Sequence, residues 1–176
     1  NRGPHLGSAS VRYDDSSAYG GKTTGSLGYG YKLTNKWRVN GSVGTSFRAP
    51  TYNELYYSPN FGNPDIKPEE GRNVEIGAYY DDGRTDFSAV YYHNKLRNLI
   101  TNSAQTPCSN PAFTKCIANV DNALLEGVSL SSATKLGDFR IYGNFDWQNP
   151  IDLNKNTYLA RRARNYGTVG ASHFVG

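Results

Sequence analysis

The chain has 176 residues and a formal net charge of +4, and its basic residues are scattered apart from ARRAR at 160–164, which argues against a nucleic-acid binder. Only 37% of it is hydrophobic, low for a packed globule of this length, and that share is skewed to 14 Tyr and 7 Phe beside 19 Gly and no Met. No stretch approaches the roughly 18 apolar residues of a membrane-crossing helix, and residues 1–30 hold no apolar run of leader length. A chain without Met that opens on NRGPHLGSAS reads as a processed chain or, preferentially, as a fragment.

In chain order, residues 7–14 alternate Ala9, Val11 and Tyr13 against Ser8, Ser10 and Arg12, a weak strand pattern. TTGSLGYGYKL, 23–33, is clearer: Leu27, Tyr29, Tyr31 and Leu33 fall on one face, with Thr24, Ser26, Gly28, Gly30 and Lys32 on the other. KWRVNGSVGTSF, 36–47, sets Trp37, Val39, Val43 and Phe47 against Arg38, Asn40, Ser42 and Ser46. NVEIGAYY, 73–80, sets Val74, Ile76, Ala78 and Tyr80 against Asn73, Glu75 and Tyr79. A further strand is expected over 85–96 with Phe87, Ala89 and Tyr91 outward, and others over 123–135 and 163–175. FRIYGNFDW, 139–147, opposes Phe139, Ile141, Phe145 and Trp147 to Arg140, Tyr142, Asn144 and Asp146. The reading is all-β, with eight strands and no helix.

The polar faces are mostly Gly, Ser, Thr and Asn, and the apolar faces carry aromatics near strand ends, at Trp37, Phe47, Tyr80, Phe139 and Trp147. That is the girdle pattern of a transmembrane barrel, and a strand of about 11 residues tilted near 45° rises about 25 Å, the height of an outer-membrane apolar band. Connections alternate in length. LTNK, YDDGR and KLGD are tight turns, whereas 14–22, 48–71, 97–119 and 149–161 are long. Short periplasmic turns and long extracellular loops produce this asymmetry in outer-membrane barrels; a soluble sandwich has no reason to sort its loops so.

GTSFRAPTYNELY followed by GNPDIKPEEGRNVEIG resembles the barrel of TonB-dependent outer-membrane receptors, where a Phe-Arg/Lys-Ala-Pro strand end leads into a loop and an Asn-Pro-x-Leu/Ile-x-Pro-Glu turn. NVDNALLEGVSLS is similar to a family strand with a Gly-Val/Phe-Glu step, although Ser129 stands where Glu is usual, and YLARRARN resembles a Leu-x-Arg-Arg-Pro/Ala segment. Within the superfamily the short loops and the RRAR phrase are most similar to cobalamin transporters. The resemblance implies an antiparallel transmembrane β-barrel segment, residues 1–176 forming a curved open sheet from a larger barrel of the roughly 22-stranded type. Plug domain, TonB box and C-terminal strand are expected to lie outside it. The implied partners are cobalamin or another large ligand, the TonB complex through the plug, and outer-membrane lipid, with no nucleic acid, no cofactor and a monomeric parent in the Gram-negative outer membrane.

Candidate ligand contacts are Tyr52, Asn53, Tyr56, Tyr57, Asn60 and Phe61, which offer flat, rigid area with polar edges, together with Arg161 and Arg162, whose guanidinium groups suit amide or phosphate groups. Loop packing and pairing with wall carboxylates are the competing roles. Arg38, Glu75, Arg140 and Asp146 are expected in wall-to-wall or wall-to-plug pairs. Given the oxidising compartment that the barrel implies, Cys108 and Cys116, with seven residues between them, are expected to form a loop disulfide. Some cobalamin transporters bind calcium in their loops, but the Asp pairs at 14–15 and 81–82 lack alternating Asp-x-Asp spacing, so no metal site is assigned. Three alternatives remain open: a siderophore or haem receptor on the same scaffold, an intact eight-stranded barrel closed between 163–175 and 7–14, and a hydrolase. His5, His93 and His173 form no recognisable catalytic motif for the last.

Overall fold

In the computed structural model, residues 3–17, 19–57, 62–103, 116–119, 122–159 and 162–173 are described. Eight long strands form one antiparallel sheet: β1 (His5–Asp14), β2 (Lys22–Lys32), β3 (Trp37–Arg48), β4 (Glu69–Asp81), β5 (Thr85–Arg97), β8 (Ala123–Leu136), β9 (Phe139–Asp152) and β11 (Asn165–His173). A two-residue strand, β10 (Thr157–Tyr158), adds to β9 above β11. Each long strand pairs with its neighbour in sequence among the long strands, and among the described residues no pairing joins β1 to β11. The sheet is therefore open, which excludes the closed eight-stranded arrangement.

One pairing register keeps a single face oily from edge to edge. Across β1 to β5 the row Ala9, Leu27, Val43, Val74, His93 is continuous, and across β3 to β9 the row Gly41, Ile76, Tyr91, Val128, Trp147. Phe87, Ala89 and Tyr91 share this outward face, as expected. Val169, Val11 and Leu27 are 88%, 79% and 62% exposed there, an apolar surface that only lipid can cover.

The girdle residues also give the tilt. Pairing runs straight from Trp37 through Tyr80, Phe87 and Ser132 to Gly143, yet the lower aromatic of β9 is Phe139, four residues nearer the turn. Four residues of about 3.3 Å over four spacings of about 4.8 Å correspond to a tilt of about 35°. At the upper end Phe47 lies six residues above the row of Trp147, which gives about 46° by the same arithmetic. The two values bracket the tilt of outer-membrane strands, about 35–45°. Lower ring pairs (Trp37 with Tyr80, centroids 5.0 Å; Phe139 with His173, 4.5 Å) and an upper pair (Tyr19 with Phe47, 5.8 Å) mark the two interfaces.

The three turns 33–36, 82–84 and 137–138 sit at the lower end, and all the long connections at the upper. Asp82 fixes one of them: its carboxylate accepts from the backbone N–H groups of Arg84 and Thr85 at 3.1 and 2.8 Å and from the Tyr80 hydroxyl at 2.9 Å, and Gly83 takes φ +84. The Thr85 N–H, the Tyr80 hydroxyl and the Arg84 N–H hold the Asp82 carboxyl down to about 2.

Three expectations need correction. The long connections are not wholly irregular. Residues Tyr52–Tyr56 form a helical turn, α1, and the 97–119 loop contains a hairpin, β6 (Ile100–Ser103) with β7 (Cys116–Asn119). Strands β4 and β9 also run farther up than their alternation reaches, from Glu69 and to Asp152.

Candidate functional site

The upper end is built around the strand exit at Arg48. Pro50 ends the extended run, and Thr51 then caps α1: its hydroxyl accepts from the Glu54 N–H at 3.2 Å while the Glu54 carboxylate accepts from the Thr51 N–H at 2.7 Å. This is a capping box, and Thr51-x-x-Glu54 was the readable signal for a helix that periodicity over five residues cannot show. Arg48 clamps the arrangement. Its guanidinium donates to both oxygens of Glu54 at 3.1 Å and to Glu69 at the start of β4 at 2.8 Å. Glu69 in turn accepts from the Ile100 N–H at 2.9 Å, so one ion network joins β3, α1, β4 and β6. Burial pushes the Glu54 carboxyl up, but hydrogen bonds from Arg48 and Thr51 outweigh it and hold the group below its ordinary value.

The clamp presents a tyrosine surface. Tyr52 and Tyr56, one helical turn apart, pack with their rings tilted by 53° and centroids 5.3 Å apart, and are 74% and 52% exposed. Tyr57 is 75% exposed, and Asn53 holds the helix end by accepting from the Tyr57 N–H at 3.1 Å through its backbone carbonyl. Leu55 turns the other way and is buried.

Asn119 secures the rest of the 62–68 segment. Its side chain accepts from the Lys67 N–H at 2.6 Å and donates to the Lys67 and Asn98 carbonyls at 2.8 Å, standing in for a neighbouring strand. Asn63 donates to the Ile117 carbonyl at 3.2 Å. Among the described residues the buried apolar side chains Leu55, Ile66, Cys116, Ala118 and Ala123 lie at this end, and Ala133 alone lies lower on the wall. The wall thus rests on lipid and the loops on each other.

Asn60, Phe61 and Arg161 lie outside the described residues, as does Cys108; Cys116 is buried on β7, opposite Ser103. Arg162 is exposed just before β11. Its segment docks on β9, where the Gln148 N–H donates to the Arg164 carbonyl at 2.8 Å, and the Arg164 guanidinium sits 4.3 Å over the Tyr158 ring. Among the described residues no hydrogen bond, ion pair or ring contact joins Arg162 to α1. On the inner face, Arg38 lies 4.7 Å over the Tyr79 ring, Arg140 is 3.9 Å from Asp86, and Asp146 accepts from Ser129 and from Asn144. The carboxylate beside position 129 therefore comes from the neighbouring strand. Glu75 is exposed there without a partner among the described residues.

A tilted open sheet with an oily outer face, a polar inner face, two aromatic girdles and loops sorted to one end is the wall of a transmembrane β-barrel of the outer membrane. Residues 3–176 match the family described as TonB dependent receptor-like, beta-barrel, and the chain belongs to that family of the Gram-negative outer membrane. It is 34% identical over 166 residues to a vitamin B12 transporter BtuB of Photobacterium profundum, covering 94% of this chain and 27% of that protein. It is 35% identical over 158 residues to a vitamin B12 transporter BtuB of Vibrio vulnificus, covering 89% and 25%. The chain thus spans about a quarter of the length of these relatives. In structure it is similar to the siderophore receptor PirA of Acinetobacter baumannii, with a TM-score of 0.77 at 19% identity over 96% of this chain and 28% of that one.

Proposed function

We propose that residues 1–176 form part of the barrel wall and extracellular mouth of a transporter that takes up cobalamin, in a parent chain that supplies the plug and its contact with TonB. The observation that carries this reading is the Tyr52–Tyr56 platform, held rigid and exposed at the extracellular end by the Arg48 clamp. Rigid aromatics recognise a large flat ligand at low entropic cost, because their shape is set before binding. The identity to two vitamin B12 transporters over about nine-tenths of the chain favours a corrin ligand over a ferric siderophore, since the siderophore receptor shares the fold at only 19% identity. Uptake in this reading is non-covalent: the loops bind, the plug rearranges when TonB pulls, and the ligand enters the periplasm. Asn53, Tyr57 and Arg162, with Asn60, Phe61 and Arg161, are the remaining proposed contacts, and a Cys108–Cys116 bridge would brace the loop between β6 and β7.

The test is calorimetric titration of the complete receptor in detergent with cyanocobalamin, a ferric catecholate and haemin. Cyanocobalamin is expected to bind, and replacing both Tyr52 and Tyr56 by Ala is expected to weaken it by about 10-fold or more, on the scale of two lost aromatic contacts. Binding of the ferric catecholate or haemin alone would overturn the corrin assignment. Unchanged cyanocobalamin affinity in the double variant would remove the tyrosines from the site.

A further inference from the structure

The outward face carries a group of cations that the transport reading does not use. Register places Arg72 opposite Thr45 and Lys95, and Arg97 opposite Glu70, all on the face of Phe47 and Val43. The tilt that carries the upper girdle from Phe47 on β3 to Trp147 on β9 takes the same level through Arg72 on β4, Lys95 on β5 and Glu126 on β8. Arg72 and Lys95 thus stand at girdle height, and Arg97 one step above. Lys22 reaches in from β2, its Nζ 2.6 Å from Glu70, and these side chains line one shallow groove.

The charges do not cancel. Four cations, Lys22, Arg72, Lys95 and Arg97, surround one carboxylate, Glu70. Glu126 is engaged elsewhere, 3.4 Å from His93 and accepting from Asn149 at 3.3 Å. Among the described residues no carboxylate lies within 4 Å of Arg72, Lys95 or Arg97. A single cation at this depth can extend to water, but three on adjacent strands repel one another unless an anion lies between them. At the height of the upper girdle the anions available are the phosphates of outer-leaflet lipid, two of whose oxygens can be engaged at once by a guanidinium fork and any of them by an ammonium.

We infer that Arg72, Lys95 and Arg97, with Lys22 and Glu70 behind them, bind the phosphate groups of a phosphorylated glycolipid of the outer leaflet. The complete receptor, stripped of lipid in non-ionic detergent, is titrated with bis-phosphorylated lipid A and the bound lipid counted by native mass spectrometry. The triple variant Arg72→Gln, Lys95→Gln, Arg97→Gln is expected to lose about tenfold or more in affinity, and the charge-keeping variant Arg72→Lys, Lys95→Arg, Arg97→Lys to retain it. Heat-shifted electrophoretic mobility reports whether each variant is folded. Wild-type receptor is expected to bind dephosphorylated lipid A about tenfold more weakly, an arm that needs no variant. Excess inorganic phosphate is expected not to displace the lipid. Equal binding of phosphorylated and dephosphorylated lipid, wild-type affinity in the folded triple-Gln variant, or complete displacement by inorganic phosphate would each overturn the inference.

Discussion

Replacing Ile76 by Arg tests the assignment of faces and depth together. Ile76 is 60% exposed on the outward face, four residues above Tyr80 at the lower girdle and four below Arg72 at the upper. Four residues at about 3.3 Å and a tilt near 40° amount to about 10 Å from each interface, which puts Ile76 at the middle of the apolar band. An Arg there costs about 2–4 kcal/mol, against about 0–1 kcal/mol near an interface. Val74, midway between Ile76 and Arg72, should give an intermediate loss of about 1–2 kcal/mol when changed to Arg. Glu75→Gln on the inner face should stay within about 0.5 kcal/mol. The assay is urea unfolding of the complete receptor in phospholipid vesicles, followed by tryptophan emission, since Trp37 and Trp147 both lie in the girdles. A cost for Ile76→Arg no larger than that for Val74→Arg, or a Glu75→Gln cost exceeding both, would refute the placement.

Losing the clamp by Arg48→Met should free α1 and leave Glu54 and Glu69 without their cation, so amide hydrogen exchange at Leu55 and Tyr57 should accelerate about tenfold, equivalent to roughly 1–2 kcal/mol of local stability. Glu54 has a depressed folded value, so its contribution is present above the ordinary carboxylate range and is lost as pH falls through the depressed value; Glu54→Gln should flatten that dependence in the same exchange measurement. At Gly127 an added Cβ would meet the Trp147 carbonyl oxygen at 2.3 Å and the Tyr92 hydroxyl at 2.7 Å, so Gly127→Val should destabilise the wall by about 1–3 kcal/mol in the urea assay. Asp82, held at about 2, lends its turn stability that is full above the ordinary carboxyl value and disappears as pH falls toward about 2. A pH titration of the Arg84 and Thr85 amide shifts should show a midpoint near that value in wild type and none in Asp82→Asn.

What the sequence revealed and what it hid divide at the upper girdle. Below it each strand faces lipid on one side and a polar lumen on the other, so side chains must alternate, and period 2 located β2, β3, β4 and β9 with their faces correctly assigned. Above it no lipid enforces alternation. Strand β9 continues through Gln148, Asn149 and the buried Pro150, a residue that ordinarily argues against a strand interior, and is held there by pairing with Gly127, Glu126 and Leu125. Strands β6 and β7 have four residues each, too few for a pattern, and exist because they pair with one another. The tyrosines of α1 were legible as candidates by composition. Arg48, Glu54 and Glu69, which hold them, were not, since 21 residues separate the ends of that network.

The distribution of buried side chains bears on how such a protein can hold a ligand in its loops and still sit firmly in a membrane. Among the described residues the wall has almost no core of its own, and it is stabilised by strand pairing and by lipid on its outer face. The extracellular segments instead carry Leu55, Ile66, Ala118 and Ala123 under a polar lattice tied by Arg48 and Asn119. Because the two parts rest on different solvents, substitutions in one should leave the other's stability nearly additive, as expected of sites without shared partners. Arg48 ends a wall strand and anchors the loop, but its partners Glu54 and Glu69 are not shared with Ile76. Combining Arg48→Met with Ile76→Arg should therefore give summed losses in the unfolding assay, while Arg48→Met with Glu54→Gln should fall short of the sum by about 1 kcal/mol, the coupling of one charge-assisted pair.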